Sequence, residues 1–159
     1  MSLTSIVGVD PGYEMSAWVR YDGQRVVAHA IEANAELLER LAGAEDSHVT
    51  FEAIESYGMA VGREVFETVF WTGRFFEAVV RRGANASRLP RKAVKLHLCH
   101  SARATDSNLR VALLDRFGGS AAAVGKKAAP GPLYGIKSHE WAALALAVTW
   151  LDTSRSNNV

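Results

Sequence analysis

Cysteine is almost absent from this chain: Cys99 stands alone among 159 residues. One cysteine excludes an internal disulfide framework and any zinc-type cysteine spacing, and it fits a reducing compartment. Leu96 and Leu98 beside it favour a core thiol over a nucleophile. No apolar run is long enough to cross a bilayer, and no basic-then-apolar signal pattern opens the chain, so a cytoplasmic protein is expected. No internal repeat and no domain-dividing linker interrupts the chain, and no Ser/His/Asp arrangement stands out. Gly118-Gly119 and Gly131-Pro-Leu-Tyr-Gly135 match no phosphate-loop spacing. What remains is one domain over residues 1–159 with a polar tail at about 153–159. It is large enough to bury a core without staples.

Net charge is nearly absent too, at +1 overall. That total conceals a strong asymmetry. Residues 1–73 hold 4 Lys/Arg against 12 Asp/Glu, a net of −8, while residues 74–137 hold 13 against 3, a net of +10. A basic second half suggests a surface for a polyanion, with solvated helix faces as the ordinary alternative.

The hydropathy pattern starts with three strands, Ser5–Val9, Met15–Tyr21 and Arg25–Ala30, punctuated by Pro11-Gly12 and Asp22-Gly23 turns. A helix is expected over Ala33–Leu41, a fourth strand over His48–Glu52 and a long helix over Gly62–Arg82. A short strand Ser87–Leu89 precedes Pro90, which suits the first turn of a helix with Val94, Leu96 and Leu98 partly buried. Another helix begins near Thr105-Asp106-Ser107 and runs to Arg116. Residues 119–135, rich in Gly, Ala and Pro, read as a mobile loop outside the core. A very apolar helix, Ser138–Leu151, must pack on the sheet. The sum is an α/β fold with a mixed sheet covered by helices.

Several carboxylates and one imidazole fall at element ends. Asp10 closes the first strand, where a rigid scaffold can aim it at a metal, although Asp-Pro-Gly is also good turn chemistry. Glu52 ends the fourth strand and lies beside Asp10 if the two strands are parallel neighbours; a solvent-facing strand carboxylate is the plain alternative. Glu55, three residues on, competes for that role. His139 and Glu140 open the last helix. The macrodipole disfavours a protonated imidazole there, which suits His139 as a neutral metal ligand, whereas Glu140 points about 100° away and reads better as a dipole-stabilising carboxylate. Asp106 is explained by a helix-start role or by the site.

The segment Ile6-Val-Gly-Val-Asp-Pro-Gly12 resembles the opening motif of the RuvC-type Holliday junction resolvases of the RNase H-like superfamily. The ordered stretches Phe51-Glu-Ala-Ile-Glu-Ser-Tyr-Gly-Met59, Val61-Gly62, Glu67-Thr68, Trp71-Thr-Gly-Arg-Phe75, Lys95-Leu-His-Leu-Cys99, Asp106-Ser-Asn-Leu-Arg110 and Gly135-Ile-Lys-Ser-His139 extend the resemblance over residues 5 to 150. They are closest to the bacteriophage-encoded branch. The resemblance implies an RNase H-like fold with a mixed five-stranded sheet and helices on both faces. It also implies that Asp10, Glu52 and His139 are catalytic and metal-binding. One position departs from the pattern: the Asp usual three residues beyond His139 is Ala142 here. A ligand is therefore missing, or it is supplied by Asp106, Glu55 or Glu140.

The implied activity is metal-dependent hydrolysis of branched DNA by Mg²⁺ or Mn²⁺, with two ions roughly 4 Å apart bridged by Asp10. A branched-DNA-binding module with impaired catalysis is the alternative. Arg74, Arg91, Lys92, Lys95, Arg110, Lys126, Lys127 and Lys137 are expected to grip backbone phosphates. A two-fold symmetric junction calls for a homodimer. The Gly62–Arg82 helix, with its exposed aromatics Phe70, Trp71 and Phe75, could supply part of the interface, with core packing as the alternative. If the basic half grips phosphates, DNA affinity measured by fluorescence anisotropy falls by about 10³ between 50 and 200 mM salt for some six contacts; a flat salt profile removes that role.

Overall fold

The computed structural model describes residues 5–45 and 48–157. Strands β1 (Ile6–Asp10), β2 (Met15–Tyr21) and β3 (Val26–Ala33) form an antiparallel meander. At the second turn, the Asp22 carboxylate accepts the N–H groups of Gln24 and Arg25 at 2.8 Å each, and Gly23 takes φ +97. Helix α1 (Asn34–Gly43) returns the chain to β4 (His48–Ala53), which pairs parallel to β1; α2 (Arg63–Arg81) leads to β5 (Asn85–Pro90), parallel to β4. The strand order is β3-β2-β1-β4-β5, the expected mixed five-stranded sheet. Helices α3 (Arg91–Cys99), α4 (Asp106–Arg116) and α5 (Ser120–Val124), a ribbon of β6 (Gly125–Lys126) and β7 (Ala129–Pro130), and α6 (Glu140–Ser156) complete the chain. Among the described residues no helix is long and apolar enough to cross a membrane.

Alternate residues along each strand serve opposite layers. Val7, Val9, Trp18, Val49 and Phe51 pack against Leu37 and Leu41 of α1 and Phe75 and Val79 of α2. Ile6, Val19 and Tyr21 pack on the other face with α3, α4, α5 and α6. Helix α6 lies directly on β1 because of one residue. A Cβ at Gly8 would stand 2.0 Å from the Ala143 carbonyl oxygen and 3.1 Å from the Ala147 nitrogen. Glycine opposite a stretch of small helical residues lets helix and strand backbones touch.

Four expectations change. Residues 119–135 are not a loop outside the core: they hold α5 and the β6–β7 ribbon, and Ala123 and Leu133 are fully buried. Gly125 and Gly131 permit this, since a Cβ on either would meet the carbonyl oxygen of Ala129 or Ala123 at 2.4 or 2.3 Å. Phe75 is wholly buried against Phe51 rather than exposed, which leaves Phe66, Val69 and Phe70 as the outward apolar face of α2. Leu96 is exposed, not partly buried. Thr153 to Ser156 belong to α6, whereas residues 158 and 159 of the expected tail lie outside the described residues.

Gly8→Ala should destabilise the fold by at least about 3 kcal/mol in urea unfolding, because helix and strand must separate to admit the methyl group. Gly43→Ala, whose added Cβ meets nothing within 4 Å, should be neutral or stabilising by about 0.5 kcal/mol. Equal stability of the two variants would mean that the close contact is not required.

Candidate active site

Asp10 ends β1 on the face that carries α6, because Ile6, Gly8 and Asp10 share one parity. The turn that follows is tied down on three sides. Gly12 N–H donates to Ser16 Oγ at 3.1 Å, Ser16 Oγ donates to Asn34 Oδ1 at 2.6 Å, and Asn34 Nδ2 donates to the Gly12 carbonyl at 2.9 Å. Ser16 and Asn34 are both buried, so the carboxylate is presented from a rigid base. Neither residue carries a recognisable signal in the sequence.

Glu52 comes alongside through strand register. Gly8 pairs with Thr50 and Val9 with Phe51, so the next step along both strands sets Asp10 beside Glu52. The same face of β4 and β5 carries a polar ladder, His48 Nε2 to Ser87 Oγ at 2.8 Å and Ser87 Oγ to Thr50 Oγ1 at 3.0 Å, below Glu52. His48 stacks on Trp150 of α6 with ring centroids 3.7 Å apart, and burial lowers its pKa from 6.5 to about 4.

His139 is delivered by the N-terminus of α6. Its Nδ1 lies 3.1 Å from Asp10 Oδ2 while 76% of the side chain stays exposed. Ser138 before it takes φ +51, a left-handed conformation at the point where the chain turns into the helix. Glu140 turns the opposite way. Only 1% exposed, it pairs with His29 Nδ1 of β3 at 2.7 Å and accepts the Lys137 N–H at 3.0 Å. It therefore clamps the start of α6 to the sheet and is not gathered with Asp10. The dipole-stabilising reading of Glu140 foresaw the helix end but not its partner His29.

Arg91, the first residue of α3, places one guanidinium nitrogen 3.5 Å from Glu52 Oε1 and pairs the other with Asp106 Oδ1. Thr105, not Asp106, caps α4: its Oγ1 accepts the Asn108 N–H at 3.1 Å, and Asn108 Oδ1 accepts the Thr105 N–H at 2.9 Å. Glu55 is exposed in the segment after β4. Of the expected phosphate contacts, Arg74, Lys92, Arg110, Lys126, Lys127 and Lys137 are exposed, and Lys95 and Arg91 are half-buried. Arg110 sits over Trp141 of α6 at 5.1 Å, and Arg74 over Trp71 at 4.4 Å. A cleft of about 350 Å³ runs from Asp10 and His139 along Tyr13, Glu14 and Ile31. Glu14 escaped notice in the sequence because it marks no element end.

The electrostatics favour a cation here. Burial is the largest influence on Asp10 and the nearby Glu52 carboxylate the next; both raise its pKa. His139 and Arg91 pull the other way, and the net is a rise from 3.8 to about 6. Two crowded carboxylates with an imidazole beside one of them fit one hard divalent ion that completes its shell with water or phosphate oxygens. Among the described residues no three His, Cys, Asp or Glu side chains are gathered as a ready metal cluster. Asp106 and Glu140 are engaged with Arg91 and His29.

The fold has known counterparts. A Thermus thermophilus RuvC structure matches with TM-score 0.70 at 18% identity, covering 96% of this chain and 96% of that one. T. thermophilus RuvC in complex with Holliday junction substrate matches with TM-score 0.72 at 17% identity, covering 97% and 96%. The chain has a RuvC-like, RNase H-like fold. A ROK-family protein from Streptococcus pneumoniae matches far more weakly, with TM-score 0.41 at 12% identity over 62% of this chain and 38% of its own. No family model and no curated protein sequence matches the chain.

The raised pKa of Asp10 has a measurable consequence. Between pH 3.8 and about 6 the folded chain keeps a proton that the unfolded chain releases, so this group lowers stability as pH rises through that window. His48 acts oppositely: from pH 6.5 down to about 4 the folded chain refuses a proton that the unfolded chain accepts, so its contribution is lost on acidification. Asp10→Asn should therefore exceed the native protein in stability by on the order of 2 kcal/mol at pH 7. The gap should close towards pH 4, leaving the His48 loss in both. Urea unfolding across pH reads this, and parallel profiles would mean that Asp10 is not held against its charge.

Proposed function

We infer that the protein is a structure-selective DNA endonuclease that resolves Holliday junctions or other branched DNA by metal-dependent phosphodiester hydrolysis. One observation carries the reading: Asp10 and Glu52 converge at the end of the central strands beside His139, on the RuvC-like fold. A solved protein of that fold is RuvC in complex with Holliday junction substrate.

A phosphodiester is anionic and repels an attacking hydroxide, so hydrolysis needs neutralisation, a positioned water and a stabilised leaving oxygen. Bound Mg²⁺ or Mn²⁺ supplies charge neutralisation and lowers the pKa of water. Asp10 and Glu52 would hold the cation, whose charge would relieve the crowding that raises the Asp10 pKa. His139, with Nδ1 on Asp10 and most of its ring in solvent, orients the attacking water and takes its proton at Nε2. In the two-ion arrangement expected from the sequence, the exposed Glu55 or Glu14 would hold a second ion together with substrate oxygens. Arg110, Lys137 and the ribbon residues Lys126 and Lys127 grip backbone phosphates. The chain works as a homodimer, one site per symmetric strand, and the exposed apolar face Phe66, Val69 and Phe70 of α2 supports that assembly. The resemblance to the bacteriophage branch suggests a phage-infected or bacterial cytoplasm as its setting.

Ala142 favours a second reading, a branched-DNA-binding module without catalysis. A synthetic four-way junction separates the two. The native protein should cut it with Mg²⁺ or Mn²⁺, leaving 5′-phosphate ends, while Asp10→Asn should bind it and lose at least about 10³-fold in rate. Binding without cutting under either metal, reversed by Ala142→Asp, supports the module. Unchanged cutting by Asp10→Asn overturns the site.

A further inference from the structure

The geometry points to Arg91 as the residue that grips a DNA phosphate at the candidate active site, with the Asp106 carboxylate occupying that place while DNA is absent. This rests on the nuclease reading above and names a device within the same site.

Arg91 stands where β5 ends and α3 begins, so its backbone is set by the sheet edge. Its guanidinium spans two carboxylates. The Glu52 contact, at 3.5 Å, is at the limit of a hydrogen bond, and the other guanidinium nitrogen pairs with Asp106 Oδ1. Asp106 is not the cap of α4, since Thr105 and Asn108 form the capping box, and its place as the acid of the first turn leaves its carboxylate oxygens open to a partner. The Asp106 side chain is 76% exposed, so packing does not account for its placement. A carboxylate and a phosphate offer a guanidinium the same pair of acceptor oxygens, and Arg is suited to bidentate capture of either. An ion pair with so exposed a partner is weak in water, so an arriving phosphate displaces Asp106 readily. The position also suits the chemistry: a phosphate held there lies against Glu52, which the nuclease reading assigns to the cation. The competing explanation, that Arg91 merely ties α3 to α4 and β4, makes different predictions.

A double-mutant cycle on DNA binding decides, read by fluorescence anisotropy in EDTA with a synthetic four-way junction and a linear duplex. Asp106→Asn should tighten junction binding by about threefold to tenfold and steepen the salt dependence by nearly one counterion. Arg91→Ala should weaken binding by about tenfold, with Arg91→Lys between it and the native protein. In the Arg91→Ala background Asp106→Asn should have no further effect. Asp115→Asn, an exposed acid further along α4, controls for bulk charge and should stay within about twofold. With metal present, Asp106→Asn should lower KM more than it changes kcat. Far-ultraviolet circular dichroism and melting confirm that each variant folds.

An Asp106→Asn gain no larger than that of Asp115→Asn, or one that persists without Arg91, overturns the inference. Equal affinity of the native protein for junction and duplex overturns the branched-DNA reading instead, and the cycle on duplex still decides Arg91. No binding to either DNA overturns both.

Discussion

The contact on which the rest of the structure depends is the touching of two backbones, β1 at Gly8 and α6 at Ala143 and Ala147. A side chain larger than hydrogen at residue 8 would lift the helix from the sheet. With the helix seated, its N-terminus projects past the end of β1, and His139 arrives 3.1 Å from Asp10. At its other end Trp150 stacks on His48, and Asp152 receives Arg116 at 2.6 and 2.7 Å and His97 at 2.7 Å, joining α6 to α4 and α3. One helix thus registers the sheet, the candidate site and the outer helices against one another. A rigid interior transmits that placement because packed atoms have little room to adjust.

Placing Asp10 there is electrostatically costly, and the surrounding structure is arranged to hold it anyway. Burial and the Glu52 carboxylate both oppose its charge. The turn beyond it is locked by Ser16 and Asn34, which denies the carboxylate an escape into solvent. Glu140 and His29 fasten the helix end from the opposite side, so His139 cannot drift away. Such an arrangement, in which local strain is maintained by well-satisfied polar neighbours, is typical of sites that bind something of opposite charge.

Legibility in the sequence followed the range of the physics. The meander was readable because Asp-Pro-Gly and Asp-Gly turns act within four residues, and Asp10 and Glu52 were readable because each ends a strand with clear hydrophobic pattern. Residues 119–135 carry no readable periodicity because they are rich in Gly and Ala, although that smallness is what lets the segment pack into the core. The apolar residues of α2 spread too broadly around the helix to single out Phe75 as a buried ring. Glu140 and Asp106 stand at helix starts, where a short-range helix-end role is the default. Their partners His29 and Arg91 come from distant parts of the chain, and such long-range pairings leave no local trace.

The uneven charge along the chain acquires a spatial meaning from strand parity. Because Ile6, Gly8 and Asp10 face α6, and His48, Thr50 and Glu52 share that face, both carboxylates open towards the layer built from the second half of the chain. That layer carries Arg91, Lys92, Lys95, Arg110, Lys126, Lys127 and Lys137 on α3, α4, the ribbon and the strap before α6. Two carboxylates alone would repel a polyanion; a basic layer beside them makes the field attractive to one at longer range. A register slip of one residue in β1 or β4 would turn the acids towards α1 and α2, whose five acidic and four basic residues nearly cancel. The same alternation that buries Val7 and Val9 thus aims the acids at the layer with the opposite charge.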